Sequence, residues 1–310
     1  MINVLFAAKD DRWDTYEVPL KQAFSEAGLS VNLMREATPD LVEYMVYAPN
    51  GPITDFRPFP NLKAVLNLWA GVEDVVGNET LQVPLCRMVD FGLTEGMVEW
   101  VTGHTLRHHL GIDAHIHGQD GVWRGGRVPP LARNRRVGIL GLGALGQACA
   151  EALSTLRFQV SGWSRTPKDI DGISYHSGES GLQDVLANSE ILILLLPLTE
   201  ETTNVLNAET LALMPRGAMI INPGRGPLID DDALLAALDK GHIGHATLDV
   251  FRTEPLPPEH PFWAHKSVTV TPHIASETRA ESASQVIAEN IRRGEAGEPF
   301  VHVVDRNAGY

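Results

Sequence analysis

The chain has 310 residues, long for one domain and ample for two. Its net charge of −14 argues against nucleic acid or an anionic membrane as partner, and its longest strongly apolar run, Ile191–Leu196, is too short to span a bilayer. No basic segment precedes an apolar one at the N-terminus, so no signal peptide is expected, and Cys86 and Cys149 read as buried free thiols of a reducing cytoplasm.

Asn3–Ala8 reads as a strand and Glu17–Ala27 as a helix closed by Gly28. Val31–Met34, Tyr44–Ala48 and Lys63–Leu68 read as further strands. Alternation of this kind implies a parallel sheet with helices on both faces. A long helix begins near Gly92–Glu95 and runs to about Leu110. The segment from Gly111 to Asn134, rich in Gly, His, Trp and Pro, is expected to be irregular. A second series starts at Arg136, with strands at Val137–Leu140, Gln159–Trp163, Ile191–Leu196, Ala218–Asn222, His245–Val250 and Val268–Thr271. A helix from about Ala280 to Arg293 follows, with Gly294 as its expected C-cap. The fold class is therefore α/β with two doubly wound parallel sheets. The second series interrupts the first domain, which implies two crossing segments, a cleft and a hinge.

Gly141-Leu-Gly-Ala-Leu-Gly146 is a G-x-G-x-x-G run. Alone it is a weak signal. Here an apolar strand, Val137–Leu140, enters it and a helical pattern, Gln147–Leu156, leaves it. That context is the one a dinucleotide needs. The glycines Gly141, Gly143 and Gly146 allow a tight turn, close approach of a pyrophosphate and close helix–strand packing. The helix N-terminus presents backbone N–H groups to phosphate, and Ala144 and Leu145, within the glycine run, are expected to meet the cofactor with it. The next strand then ends in Trp163-Ser-Arg-Thr-Pro-Lys168. An NAD site usually has Asp or Glu there. Ser164, Arg165, Thr166 and Lys168 instead suit a ribose 2′-phosphate, so NADPH is expected in preference to NADH.

Open parallel sheets bind ligands beyond the carboxyl ends of their strands. Reading on from three successive strands gives Arg225, Glu254 and His273. This set suits hydride transfer to a 2-keto acid. Arginine holds the substrate carboxylate and polarises the carbonyl, and histidine supplies the proton the new alkoxide needs. Glu254 is expected to raise the His273 pKa and fix the ring's orientation.

These runs resemble the D-isomer-specific 2-hydroxyacid dehydrogenase family over nearly the whole chain, and within it the glyoxylate/hydroxypyruvate reductase A group. The resemblance is carried by Gly141–Gly146, Asn222-Pro-Gly-Arg-Gly226, Leu248-Asp-Val-Phe-Arg-Thr-Glu-Pro-Leu256, Thr271-Pro-His-Ile-Ala275 and the ending Asp305-Arg-Asn-Ala-Gly-Tyr310. It implies Arg225, Glu254 and His273 as the catalytic set, Asp249 near the nicotinamide, and Leu196, Pro197, Pro223 and Gly224 lining the cofactor. It implies a flavodoxin-like substrate domain in residues 1–94, an inserted Rossmann NAD(P)-binding domain in 95–276, and a return of 277–310 to the first. It further implies that the N–H groups of Ala70 and Gly71 meet the substrate carboxylate. The family's loop usually reads Gly-Ala-Gly-Val-Asp; here it is Leu68-Trp-Ala-Gly-Val-Glu-Asp74, departing at Trp69 and Glu73. Trp69 is either an aromatic wall beside the substrate or interdomain packing.

In the same family the long helix and the loop after it build a homodimer. Val98, Trp100, Val101, Leu106 and Trp123 suit that contact, with intrachain core as the alternative. His104, His108, His109, His115 and His117 are close in sequence, but no Cys, Asp or Glu completes a metal set, so no metal is expected. Trp263 either approaches the active site or packs a loop. The competing functions are reduction of a bulkier 2-keto acid and a nucleotide-sensing, non-catalytic corepressor-like module.

Overall fold

Successive residues of each strand enter two different apolar environments. Val4 and Phe6 pack on one side of their sheet, Leu5 and Ala7 on the other. Ile139 and Ile193 are separated from Leu140 and Leu194 in the same way. Strands buried on both faces require parallel pairing with helical cover, and the computed structural model shows this twice. It describes residues 1–125, 128–165 and 172–309. They form two compact units, Met1–Leu93 with Thr278–Tyr310, and Thr94–Glu277.

In the first unit, β1 (Ile2–Ala7), α1 (Asp10–Glu26), β2 (Val31–Met34), β3 (Tyr44–Tyr47), β4 (Ala64–Asn67), α2 (Glu73–Val76) and β5 (Leu85–Cys86) build a parallel sheet of order β2-β1-β3-β4-β5. The helix α1 begins at Asp10, earlier than the Glu17 start expected. Its first turn carries Asp10 and Asp11, whose charges favour a helix N-terminus. The chain leaves this unit along α3 (Phe91–Leu110).

In the second unit, α4 (Ile112–His117) interrupts the segment expected to be irregular. Then β6 (Arg136–Leu140), α5 (Ala144–Thr155), β7 (Gln159–Trp163), β8 (Ser174–His176), α6 (Gly178–Asn188), β9 (Ile191–Leu194), α7 (Ala208–Leu213), β10 (Ala218–Asn222), α8 (Asp231–Asp239), β11 (Ile243–Leu248) and β12 (Val268–Val270) follow. Their sheet order is β12-β11-β10-β9-β6-β7-β8, all parallel. The order reverses at β6, whose neighbours are β7 and β9, and this is where such sheets bind ligands. The edge strand β8 was not foreseen; three residues carry too little pattern.

The last helix, α9 (Ala280–Ala296), returns to the first unit and lies on α1. Ala280, Ala283, Ile287 and Ile291 give it a buried stripe at helical spacing. It passes straight through Gly294, the expected C-cap, and ends at Gly297, whose φ is +69°. A Cβ at Gly294 would fall 2.3 Å from Tyr44 Oη and 2.8 Å from the Phe300 ring. That glycine serves close packing, and Gly297 makes the left-handed turn.

Candidate active site

The turn after β6 is built on two close approaches. Gly141 has φ +101°, and a Cβ there would sit 2.5 Å from Leu195 O beside β9. A Cβ at Gly146 would sit 1.9 Å from Gly141 O. At Gly143 the opposite holds: an added Cβ meets nothing within 4 Å. Gly143 is also the N-cap of α5 and supplies no capping side chain. The first-turn residues Ala144, exposed, and Leu145, half-buried, therefore stand at free space at the positive end of a helix. A pyrophosphate fits there.

At the end of β7, Ser164 is buried, with its N–H on His176 O and its carbonyl held by Tyr175 Oη. Arg165 is exposed beside it. The carboxylate of Glu201 is held below its usual range chiefly by the Thr199 hydroxyl, with a smaller part from Arg165. Thr166 and Lys168 lie outside the described residues. Leu196 and Pro197 follow β9; Leu196 is buried and Pro197 O accepts from Thr202 Oγ1.

The turn after β10 is shaped by Asn222. Its Oδ1 takes the Gly224 N–H at 3.1 Å, and its Nδ2 donates to Arg225 O at 2.9 Å. Pro223 and Gly224 are thereby buried and Arg225 is half-buried. Gly226 then meets the next turn: a Cβ on it would be 2.0 Å from the Phe251 carbonyl carbon. The Phe251 N–H in turn donates to Glu254 Oε1 at 2.9 Å. So the Arg225 turn and the Glu254 turn are held against each other by backbone.

The third turn brings His273 Nδ1 to 2.7 Å from Glu254 Oε2. The hydrogen bond to Glu254 raises the His273 pKa above its ordinary value, against burial and the charge of Arg225. Burial pushes Glu254 upward, but the His273 and Phe251 hydrogen bonds outweigh it and leave the carboxyl below its ordinary value. Arg225 acts on both groups, so the three share one electrostatic field. The His273 side chain is 51% exposed and no described residue bonds its Nε2, which leaves that nitrogen open.

Asp249 has a role the sequence did not show. Its carboxylate is buried and accepts from Thr271 Oγ1 at 2.6 Å, Ile274 N at 2.9 Å and Ala275 N at 2.8 Å. The His273 N–H donates to Asp249 O at 2.8 Å. One residue thus holds the whole turn on which His273 adopts φ +56°. A lone Asp at a strand end gives no signal of this; its partners are more than 20 residues away in sequence.

The family model of the D-isomer specific 2-hydroxyacid dehydrogenase NAD binding domain matches residues 103–275. This chain belongs to that family. Glyoxylate/hydroxypyruvate reductase A of Serratia proteamaculans (strain 568) is 42% identical over 257 residues, covering 80% of this chain and 82% of that protein. A D-isomer specific 2-hydroxyacid dehydrogenase from Xanthobacter autotrophicus Py2, solved with NADPH and MES, superposes with a TM-score of 0.92 at 43% identity and covers 99% of each chain. An NADPH-dependent glyoxylate/hydroxypyruvate reductase from Sinorhizobium meliloti, solved with NADP and sulfate, gives 0.89 at 34% identity over 100% of each chain.

The remaining candidates fall as follows. Ala70 and Gly71 lie half-buried in the turn between β4 and α2, and the Trp69 ring packs against the first unit's core. Val101 is buried in an intrachain core of the second unit, and Val98, Trp100 and Leu106 are half-buried against it, as the intrachain alternative expected. Trp123 does not join them; it is 98% exposed. His108 is buried against Thr247 Oγ1 at 2.9 Å, and His109 meets the Phe158 ring edge-on. Burial drives His108 down to about 3, so it stays neutral. Among the described residues no three His, Cys, Asp or Glu are grouped to hold a metal ion. Trp263 is exposed, with its indole N–H on Pro257 O at 3.0 Å. No helix among the described residues is long and apolar enough to cross a membrane.

Proposed function

We propose that this chain is an NADPH-preferring reductase of small 2-keto acids, glyoxylate and hydroxypyruvate, yielding D-2-hydroxy acids. The observation that carries the chemistry is the Glu254–His273 pair at 2.7 Å with the far imidazole nitrogen open. The open cap at Gly143 supports the cofactor, as do the relatives solved with NADPH and NADP. Residues 95–276 hold the dinucleotide, with Gly141–Gly146 on the pyrophosphate and Ser164, Arg165, Thr166 and Lys168 on the 2′-phosphate. Leu196, Pro197, Pro223 and Gly224 line the cofactor, and Asp249, buried under the His273 turn, lies near its nicotinamide. Residues 1–94 and 277–310 carry the substrate loop, where Ala70 and Gly71 offer N–H groups to the carboxylate.

When bound, the dihydronicotinamide supplies a hydride to the substrate carbonyl carbon. The Arg225 guanidinium holds the carboxylate and polarises the carbonyl oxygen. The protonated His273 gives its Nε2 proton to that oxygen as the C–O double bond becomes a C–OH single bond. Glu254 stabilises the imidazolium before transfer, and the exposed ring recovers a proton from water.

A homodimer through the segment after α4 also belongs to this proposal. Val122, Trp123, Val128 and Leu131 are all exposed there, an apolar set that monomers seldom leave in water. Buried, unpaired Cys86 and Cys149, each pushed up to about 12 by burial, suit a reducing cytoplasm.

The test is to follow NADPH and NADH oxidation with glyoxylate, hydroxypyruvate, pyruvate and phenylpyruvate. Turnover is expected with the first two and NADPH. Preference for phenylpyruvate would move the substrate class, and no turnover with any would overturn the enzyme.

A further inference from the structure

The end of β4 buries one polar side chain among apolar ones. Asn67 is 1% exposed and lies between Leu66 and Leu68, both in the core. Its Nδ2 donates to Trp69 O and to Gly71 O, each at 2.9 Å. Its Oδ1 is buried with no hydrogen-bond partner among the described residues. An orphaned buried acceptor destabilises a fold, so packing alone would place an apolar residue here. The two donated bonds are what asparagine contributes.

Those bonds control the loop's peptide planes. In a trans peptide the N–H points opposite to the C=O it follows. Holding Trp69 O therefore aims the Ala70 N–H, and holding Gly71 O aims the Val72 N–H. Other carbonyls are held as well: Met88 N reaches Trp69 O at 3.0 Å, and Val75 and Val76 N reach Val72 O at 3.0 and 2.8 Å. Among the described residues none accepts from the N–H groups of Trp69, Ala70, Gly71 or Val72. Consecutive unpaired N–H groups on a turn whose carbonyls are tied elsewhere make an anion-binding nest.

We propose that Asn67 is a positioning residue for the substrate carboxylate, acting through the N–H groups of Ala70 and Val72. It never touches substrate. It sets the direction of two donors beside the Gly71 N–H, and it adds Val72 to the Ala70 and Gly71 donors that the family resemblance implies. This rests on the reductase function proposed above.

The test compares Asn67→Leu, which keeps the γ-branched shape but removes both donors, with Asn67→Ser, which keeps one. KM for glyoxylate is expected to rise roughly tenfold or more in Asn67→Leu, with kcat and the KM for NADPH within about threefold of the parent. Asn67→Ser is expected to fall between. An unchanged glyoxylate KM in either folded variant overturns the proposal, and so does an equal rise in the NADPH KM, which marks a merely structural role. Amide resonances of the unmodified protein give a reading that needs no variant. Titration with oxamate, a 2-keto acid analogue that cannot be reduced, should shift Ala70, Gly71 and Val72, and no shift there overturns the proposal. If the unmodified protein reduces no 2-keto acid, the reductase function fails by itself, and the oxamate titration still decides the nest.

Discussion

His273 Nδ1 faces Glu254 Oε2 at 2.7 Å, and this makes the two ring nitrogens unlike. One is committed to a carboxylate and the other is open. The same contact decides the ring's charge, because it is the largest cause holding the His273 pKa above its ordinary 6.5.

A first consequence is the pH profile. Reduction needs the imidazolium, so the rate should fall on the alkaline side as pH passes the raised His273 value. Glu254→Gln removes the charge that raises it. The alkaline limb is expected to move to lower pH and kcat at neutral pH to drop roughly a hundredfold. A pH–rate series on both proteins checks this; an unmoved limb would show that another group sets it. Stability follows the same pair. The raised His273 stabilises the fold below 6.5 and loses this as pH rises through its folded value, while the lowered Glu254 stabilises above 4.5 and loses it as pH falls. The pair's contribution is thus largest between those values, and solvent exposure keeps it under about 1 kcal/mol.

Asp249→Asn tests the buried carboxylate under the histidine turn. Asp249 uses both oxygens, on Thr271 and Ile274 and on Ala275. An amide offers one oxygen and turns an NH₂ toward a donor. The variant is expected to lose about 1–3 kcal/mol in denaturant unfolding and to lower kcat more than KM. Equal stability and turnover would remove Asp249 from the positioning of His273.

Two glycines should behave in opposite ways. Gly226→Ala places a methyl 2.0 Å from Phe251 backbone, so the Arg225 and Glu254 turns must move apart. Thermal unfolding and kcat are both expected to suffer, stability by roughly 1–3 kcal/mol. Gly143→Ala meets nothing in the protein. Its melting temperature should hold while the KM for NADPH rises, since the methyl occupies the space assigned to phosphate.

Arg165→Ala addresses cofactor choice. Losing a charge-assisted contact to the 2′-phosphate is expected to raise the KM for NADPH about 10- to 100-fold and to leave that for NADH nearly unchanged. Steady-state kinetics with both cofactors give the answer; an unchanged ratio would return Arg165 to the role of a solvated loop cation.

Trp123→Asp tests the exposed apolar segment. Sedimentation velocity is expected to show a dimer for the parent and a monomer for the variant. A parent that sediments as a monomer would remove the assembly from the proposal.

What the sequence determined by itself was local. The unbroken apolar strands require sheets covered on both faces, and the strand–glycine–helix order at Gly141–Gly146 needs only neighbouring residues to be recognised. The residue types beyond β10, β11 and β12 were legible because a parallel sheet sends successive strand ends to one edge. Tertiary structure decided everything that depends on where a side chain points and what approaches it from far along the chain. Gly294 proved a packing glycine because Tyr44 and Phe300 come against it. Val101 entered the intrachain core, with Val98 and Leu106 half-buried against it, while Trp123 was left in water. Asp249 came to hold the His273 turn, and Asn67 the carbonyls of its loop, through hydrogen bonds. Those bonds depend on direction and distance, and composition and periodicity carry neither.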